Sequence, residues 1–178
     1  MKSARAAFLF LGIFCNAPAL AEITYPIVPE EISGQIRSRG IDAVHQEIFS
    51  DPLAINMFLL AVDSAQADWL VLAEKFLALE NPASHERLLM AIGEGLQWGP
   101  ENVFQIDSFP LLRICSLDGL YEWRRFSRFL AEVALQRRIE KVSALDDKRF
   151  AAKKSLCLQT LAKAREKIQQ EMNDFVSP

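Results

Sequence analysis

The sequence of this 178-residue chain predicts an all-α fold. Apolar residues recur at intervals of three and four along most of the chain, and the two-residue alternation that marks strands is scarce. Breaks that contain proline or glycine separate these periodic segments at short intervals. We therefore expect about seven or eight helices, packed as a compact irregular bundle or as a stack of helical hairpins.

Helix-start signals organise the first part of the chain. Pro29 and the two glutamates that follow it are typical of a first helical turn, and Gly40 predicts the end of that helix. After a second helix, Asp51 and Pro52 predict the N-cap and the first residue of a third. These signals indicate short helices joined by tight connections.

The middle of the chain continues with amphipathic helices. Segment 65–79 places its aromatic and aliphatic residues on one stripe, which predicts a helix that faces a core. Pro82 ends that segment, and Ser84 is the predicted cap of the helix that follows. A further break at Pro100 predicts the start of a short helix.

The last third of the chain predicts longer helices. The dense apolar run 109–117 indicates a buried helix, with a strand as the alternative. In segment 122–145 the apolar residues shift gradually around the predicted helix. This pattern indicates either that the helix bends or that its two ends contact different neighbours. The final helix, from about 147 to 172, is expected to pack within the chain, because Lys154 and Glu171 interrupt the apolar series that a coiled-coil dimer needs.

Residues 1–21 are typical of a secretory signal peptide, with basic residues, a short apolar run and a small-residue cleavage site that ends at Ala21. The run is too short to span a bilayer. We expect a single mature domain, residues 22–178, in the periplasm or secreted. Cys15 leaves lipidation as an alternative, but Phe14 before it fits a lipobox poorly.

Two cysteines remain in the predicted mature domain, Cys115 and Cys157. An even number of cysteines in an oxidising compartment favours pairing, so we predict a disulfide. It would close a loop of about 43 residues and join the middle of the domain to its last helix. Two buried thiols are the alternative.

The charges of the predicted mature domain are unevenly distributed. Residues 22–112 carry 14 acidic and 4 basic side chains, whereas residues 113–178 carry 9 acidic and 14 basic ones. The preferred interpretation is that acidic helices pack beside basic helices within one fold. The alternative is a polarised surface that steers a charged partner. The net negative total indicates neither a nucleic-acid partner nor an anionic-membrane partner. No later segment is as long and apolar as a transmembrane helix, so no stable membrane insertion is expected after signal cleavage.

The sequence carries no motif of an enzyme, a metal site or a cofactor site. His85 lacks the second histidine of the helical zinc-protease motif, and no serine lies in a nucleophile elbow. We therefore predict no catalytic, metal-ligating or cofactor-binding residues. His45 is expected to be a half-buried, hydrogen-bonded histidine. Glu94, near Trp98, is the best candidate for a catalytic carboxylate, although a solvated helix-end glutamate is the preferred interpretation.

The candidate partner surface consists of an aromatic part and a basic part. Trp98 and Pro100 open the most irregular segment of the domain, where a recognition loop is most expected. Arg124, Arg125 and Arg128 form the basic stretch that would meet a negatively charged partner. For the tryptophans, a place in the core is the preferred interpretation, and an anchor of a partner surface is the alternative.

The hydrophobic spacing from 88 to 103, the Ile114-Cys115 pair and Cys157 resemble small exported all-helical proteins of proteobacteria that have no assigned activity. The resemblance covers about residues 69–157 and implies a bacterial periplasmic location. It brings no functional residues with it.

Export, small size and the absence of catalytic motifs favour a non-catalytic domain that binds another protein, such as an immunity or inhibitor protein. One alternative is a structural or assembly accessory of a cell-envelope machine. A second alternative is a cell-wall hydrolase that uses a carboxylate.

Overall fold

The computed structural model describes residues 27–79, 81–116, 127–146 and 148–176. For residues 174–176 it describes the backbone alone. The predicted signal peptide lies outside these ranges. Within them the chain forms nine α-helices and no strand, which confirms the all-α prediction. Two of the nine helices span only six and four residues. The other seven are longer, which agrees with the predicted number of seven or eight helices.

The helices follow one another through short breaks. They are α1 (Pro29–Arg39), α2 (Ile41–Ser50), α3 (Pro52–Asp63), α4 (Ala67–Leu77), α5 (Pro82–Gly95), α6 (Pro100–Gln105), α7 (Leu111–Ile114), α8 (Arg128–Ser143) and α9 (Ala151–Val176). A 3₁₀ turn, Lys148–Phe150, precedes α9. The predicted buried helix over 109–117 is therefore reduced to the single turn α7, and the strand alternative is not observed there.

Proline starts α1, α3 and α6, as the sequence predicts, because its missing N–H would have no partner in the first turn. Proline also starts α5, although the sequence pattern predicts only that Pro82 ends the preceding segment. The Asp51 side chain caps α3 by accepting from the Leu53 N–H at 2.8 Å. Asn81 caps α5 by accepting from the Ala83 N–H at 3.0 Å. The prediction that Ser84 caps this helix is wrong, since Ser84 lies inside the first turn and its hydroxyl contacts His45.

The core is one continuous apolar cluster with α5 near its centre. Helix α5 packs against α3, α4, α6 and α7, while α8 and α9 form an antiparallel hairpin. Fully buried side chains of α3, α4 and α5 supply much of the cluster; among the largest are Phe58, Phe76, Leu70, Leu88 and Ile92. As predicted, the final helix packs within the chain rather than standing free.

The predicted disulfide between Cys115 and Cys157 is present, with the two Cα atoms 5.4 Å apart. Both cysteines are fully buried. The bond joins the residue after α7 to the second turn of α9. The α8–α9 hairpin is thereby tied covalently to the part of the core that contains α5.

Ion pairs connect the acidic first part of the chain to the basic second part. Four of them cross this boundary: Glu86–Arg113, Glu94–Arg138, Glu101–Arg149 and Asp107–Lys153. Acidic residues of the first part of the chain thus pair with basic residues of the second part within one fold, as the preferred interpretation of the sequence requires.

Among the described helices, none is by itself long and apolar enough to cross a bilayer. Helices α3 and α4 together pass that test by length and composition, but they are bent by 119° relative to each other.

Loss of the disulfide is expected to lower the free energy of unfolding. Its cysteines are 42 residues apart in sequence, and the loop-entropy model gives about 4 kcal/mol for such a loop. Urea unfolding with and without dithiothreitol measures the loss. The Cys115→Ala/Cys157→Ala double variant is the control, because its stability should not respond to the reductant. A wild-type curve that dithiothreitol leaves unchanged would contradict the expectation.

Candidate functional site: Trp98 and the ion cluster beneath it

Trp98 is a large aromatic side chain with 62% of its surface exposed. It lies in the turn that follows α5, and this turn is hydrogen bonded. The backbone N–H groups of Trp98 and Gly99 both donate to the Gly95 carbonyl, at 3.0 and 2.9 Å. The exposed indole is therefore carried by an ordered backbone.

The turn between α3 and α4 packs directly against this segment. Ala65 occupies the left-handed region with a φ of 55° and is 1% exposed. A Cβ atom on Gly95 or Gly99 would lie 3.2 or 3.1 Å from the Ala65 Cβ, which is closer than side chains normally pack. Asn102 then donates to the Ala65 carbonyl at 2.9 Å. Glycine at these two positions thus lets the turn approach closely enough to fix the Trp98 segment.

A buried ion cluster lies beneath Trp98. The Arg138 side chain of α8 is fully buried, and it donates a hydrogen bond to the Glu94 carboxylate of α5, which is 14% exposed. Burial lowers the pKa of the Arg138 guanidinium, while the Glu94 and Asp63 carboxylates oppose that shift. The interpretation of Glu94 as a solvated helix-end residue is wrong, because Arg138 arrives from 44 residues away to pair with it.

Asp63, the last residue of α3, is the second carboxylate of the cluster. Burial and the neighbouring Glu94 carboxylate raise its pKa to about 6. The Arg138 charge and a hydrogen bond from the Trp98 indole oppose this shift. Of the groups that the structure describes, none hydrogen bonds to the buried Oδ1 of Asp63. With both carboxylates ionised the cluster carries one excess negative charge, so protonation of Asp63 favours the fold.

Helix α3, which ends at Asp63, also carries exposed apolar side chains. Leu53 is 56% exposed and Leu60 is 68% exposed. Leu60 lies one helical turn before Asp63, whose carboxylate accepts the Trp98 hydrogen bond. From Pro52 to Val62 the helix contains no charged residue. We call Trp98 and these exposed leucines of α3 together the Trp98 face.

The other predicted partner-surface residues are placed elsewhere. Pro100 is buried at the start of α6, so it does not contribute to that surface. Arg128 begins α8, and its Nε lies 3.9 Å from a Glu171 carboxylate oxygen. Arg124 and Arg125 lie outside the described residues. The exposed leucines of α3 are a part of the surface that the sequence analysis missed, although the lack of charge along that helix could have indicated them.

A second polar feature lies at the other end of α5. His45 is buried, with 6% of its surface exposed, and its Nε2 is 2.8 Å from Ser84 Oγ. The expectation of a hydrogen-bonded histidine is therefore met. The pair does not form an acyl-transfer site, because the Ala83, Ser84 and His85 N–H groups beside it already donate to Asn81. A cleft of about 490 Å³ opens in front of this pair.

Within the described part of the chain, no three histidine, cysteine or acidic side chains are grouped as metal ligands would be. No protein-family model matches the chain, and no curated protein or solved structure is significantly similar to it.

Asp63 is expected to make the fold less stable as the pH rises from about 4 to about 6. Its pKa in the folded protein, about 6, exceeds the ordinary value of 3.8. The folded state therefore keeps a proton that the unfolded state releases in this window, and the stabilisation is lost as Asp63 ionises. Asp63→Asn cannot ionise and should remove this fall. Urea unfolding at pH values from 4 to 7 measures the difference.

Asp107→Asn is the matched control for this measurement. Asp107 is exposed, and its hydrogen bond and ion pair with Lys153 lower its pKa rather than raise it. The control should therefore keep the wild-type slope between pH 4 and 6. Parallel wild-type and Asp63→Asn profiles across this window would contradict the role given to Asp63.

Proposed function

We propose that this chain is an exported, non-catalytic domain that binds another protein through the Trp98 face. The observation that carries the proposal is the exposure of Trp98, at 62%, on a backbone held by its neighbours. Tryptophan is among the residues that contribute most to protein–protein binding when they are buried in an interface. Because the indole is already positioned, binding would lose little conformational entropy there.

The surroundings of Trp98 support this proposal. Leu53 and Leu60 of α3 are further large apolar side chains that are exposed. Exposed apolar side chains are typical of protein interaction sites when they are grouped. Export is supported by the signal-like residues 1–21 and is compatible with the buried disulfide.

The geometry disfavours Glu94 as the catalytic carboxylate of a cell-wall hydrolase. A catalytic carboxylate has to reach its substrate, whereas Glu94 is 14% exposed and hydrogen bonded to a fully buried arginine. An immunity or inhibitor protein remains the specific form of the proposal, since such a protein needs one dedicated surface and no catalytic group. An assembly accessory of the cell envelope would use the same surface for several weaker contacts.

The proposal is tested by affinity capture from envelope extract with wild-type mature protein, Trp98→Ala and Leu112→Ala. Leu112 is the matched control because it is 58% exposed. It also lies away from Trp98. The next residue, Arg113, pairs with Glu86, and Glu86 lies about three helical turns before Trp98. We expect one stoichiometric partner on wild type and Leu112→Ala, and at least tenfold less of it on Trp98→Ala.

Equal recovery of the partner on Trp98→Ala and on wild type would contradict a role for the Trp98 face. Several weak partners in place of one, all reduced by Trp98→Ala, would favour the assembly accessory over the inhibitor.

A further inference from the structure

The cleft between α2 and the first turns of α5 is separate from the Trp98 face. Helix α5 has 14 residues, so its two ends are about 20 Å apart. Trp98 follows the C-terminal end, and the cleft lies at the N-terminal end. Its volume of about 490 Å³ is within the range of small-ligand sites.

The α2 side of the cleft presents hydrogen-bond acceptors. Asp42 and His45 are three residues apart on α2 and both line the cleft. Ser84 Oγ lies 3.1 Å from the Asn81 carbonyl and 2.8 Å from His45 Nε2. With its single hydrogen donated to the carbonyl, Ser84 Oγ accepts from a His45 Nε2–H, and this is the tautomer that the proposal uses. A neutral imidazole protonated on Nε2 carries its lone pair on Nδ1. Burial lowers the pKa of His45, which keeps the ring neutral.

The α5 side presents donors. Asn81 uses its Oδ1 to accept from the Ala83 N–H, which leaves the amide NH₂ as the other polar group of that side chain. Arg87, one turn after Ser84 on α5, adds a guanidinium to the same lining. One wall therefore suits an ammonium group, and the other suits a carboxylate.

We propose that this cleft binds a small zwitterion, a free amino acid or a short peptide, with its ammonium group at Asp42 and His45 and its carboxylate at Arg87 and Asn81. Phe49 also lines the cleft and stacks on His45 with ring centroids 4.4 Å apart. It supplies the apolar wall for the ligand's side chain or backbone. This site is independent of the proposed protein-binding function.

The test is titration of the ¹⁵N-labelled mature protein with alanine, dialanine and phenylalanyl-alanine, followed by amide chemical shifts. N-acetyl-dialanine and dialanine amide each lack one of the two charges. We expect saturable shifts of α2 and α5 amides with at least one zwitterion, and binding at least tenfold weaker for both blocked dipeptides. Tight binding of alanine would assign the site to free amino acids, and binding of the dipeptides alone would assign it to peptides.

Two variants and one control complete the test. Asp42→Asn and Arg87→Gln should each weaken binding at least tenfold, and circular dichroism verifies that the exposed substitutions leave the fold intact. Arg37→Gln removes one positive charge, as Arg87→Gln does, but at a different cavity. This control should bind the zwitterions as the wild type does. The proposal is overturned if none of the three zwitterions shifts these amides, if the blocked dipeptides bind equally well, or if both cleft variants bind normally.

Discussion

The fully buried guanidinium of Arg138 constrains much of the rest of the structure. An arginine in an apolar core is tolerated only when carboxylates compensate its charge and its hydrogen bonds are made. Glu94 of α5 accepts a hydrogen bond from it, and Asp63 of α3 adds a second negative charge. Helix α8 must therefore lie across the junction where α3 and α5 end. This requirement, together with the disulfide, fixes the C-terminal hairpin against the first five helices.

The same junction determines where the exposed tryptophan is placed. Asp63 accepts a hydrogen bond from the Trp98 indole while it faces Glu94 and Arg138. Ala65, two residues further on, packs against Gly95 and Gly99 on either side of Trp98. The exposed Trp98 is thus positioned by two features: the buried charges of Asp63, Glu94 and Arg138, and the tight turn at Ala65. This combination leaves an aromatic side chain exposed yet positioned, as a binding surface requires.

Local signals in the sequence predicted most of the helices, because proline, glycine and capping residues act within one turn of the chain. Asp51 and the helix-starting prolines Pro29, Pro52 and Pro100 are examples. The disulfide was predictable from the number of cysteines and the expected compartment. The ion cluster was not, since nothing near Glu94 in sequence reveals an arginine 44 residues away. Ser84 was mistaken for a cap because its partner, His45, lies 39 residues away in sequence and is brought to it only by the tertiary fold.

The most direct test of this account is a double-mutant cycle on Glu94 and Arg138, with free energies of unfolding measured in urea. Arg138→Met removes the buried cation that faces Glu94 and Asp63 and is expected to cost about 3–5 kcal/mol, whereas the Glu94→Gln/Arg138→Met double variant should be more stable than Arg138→Met alone. The indole N–H resonance of Trp98 should also move in Arg138→Met. Additive free energies, with an unmoved Trp98 resonance, would contradict the claim that the buried cluster organises this fold and its surface.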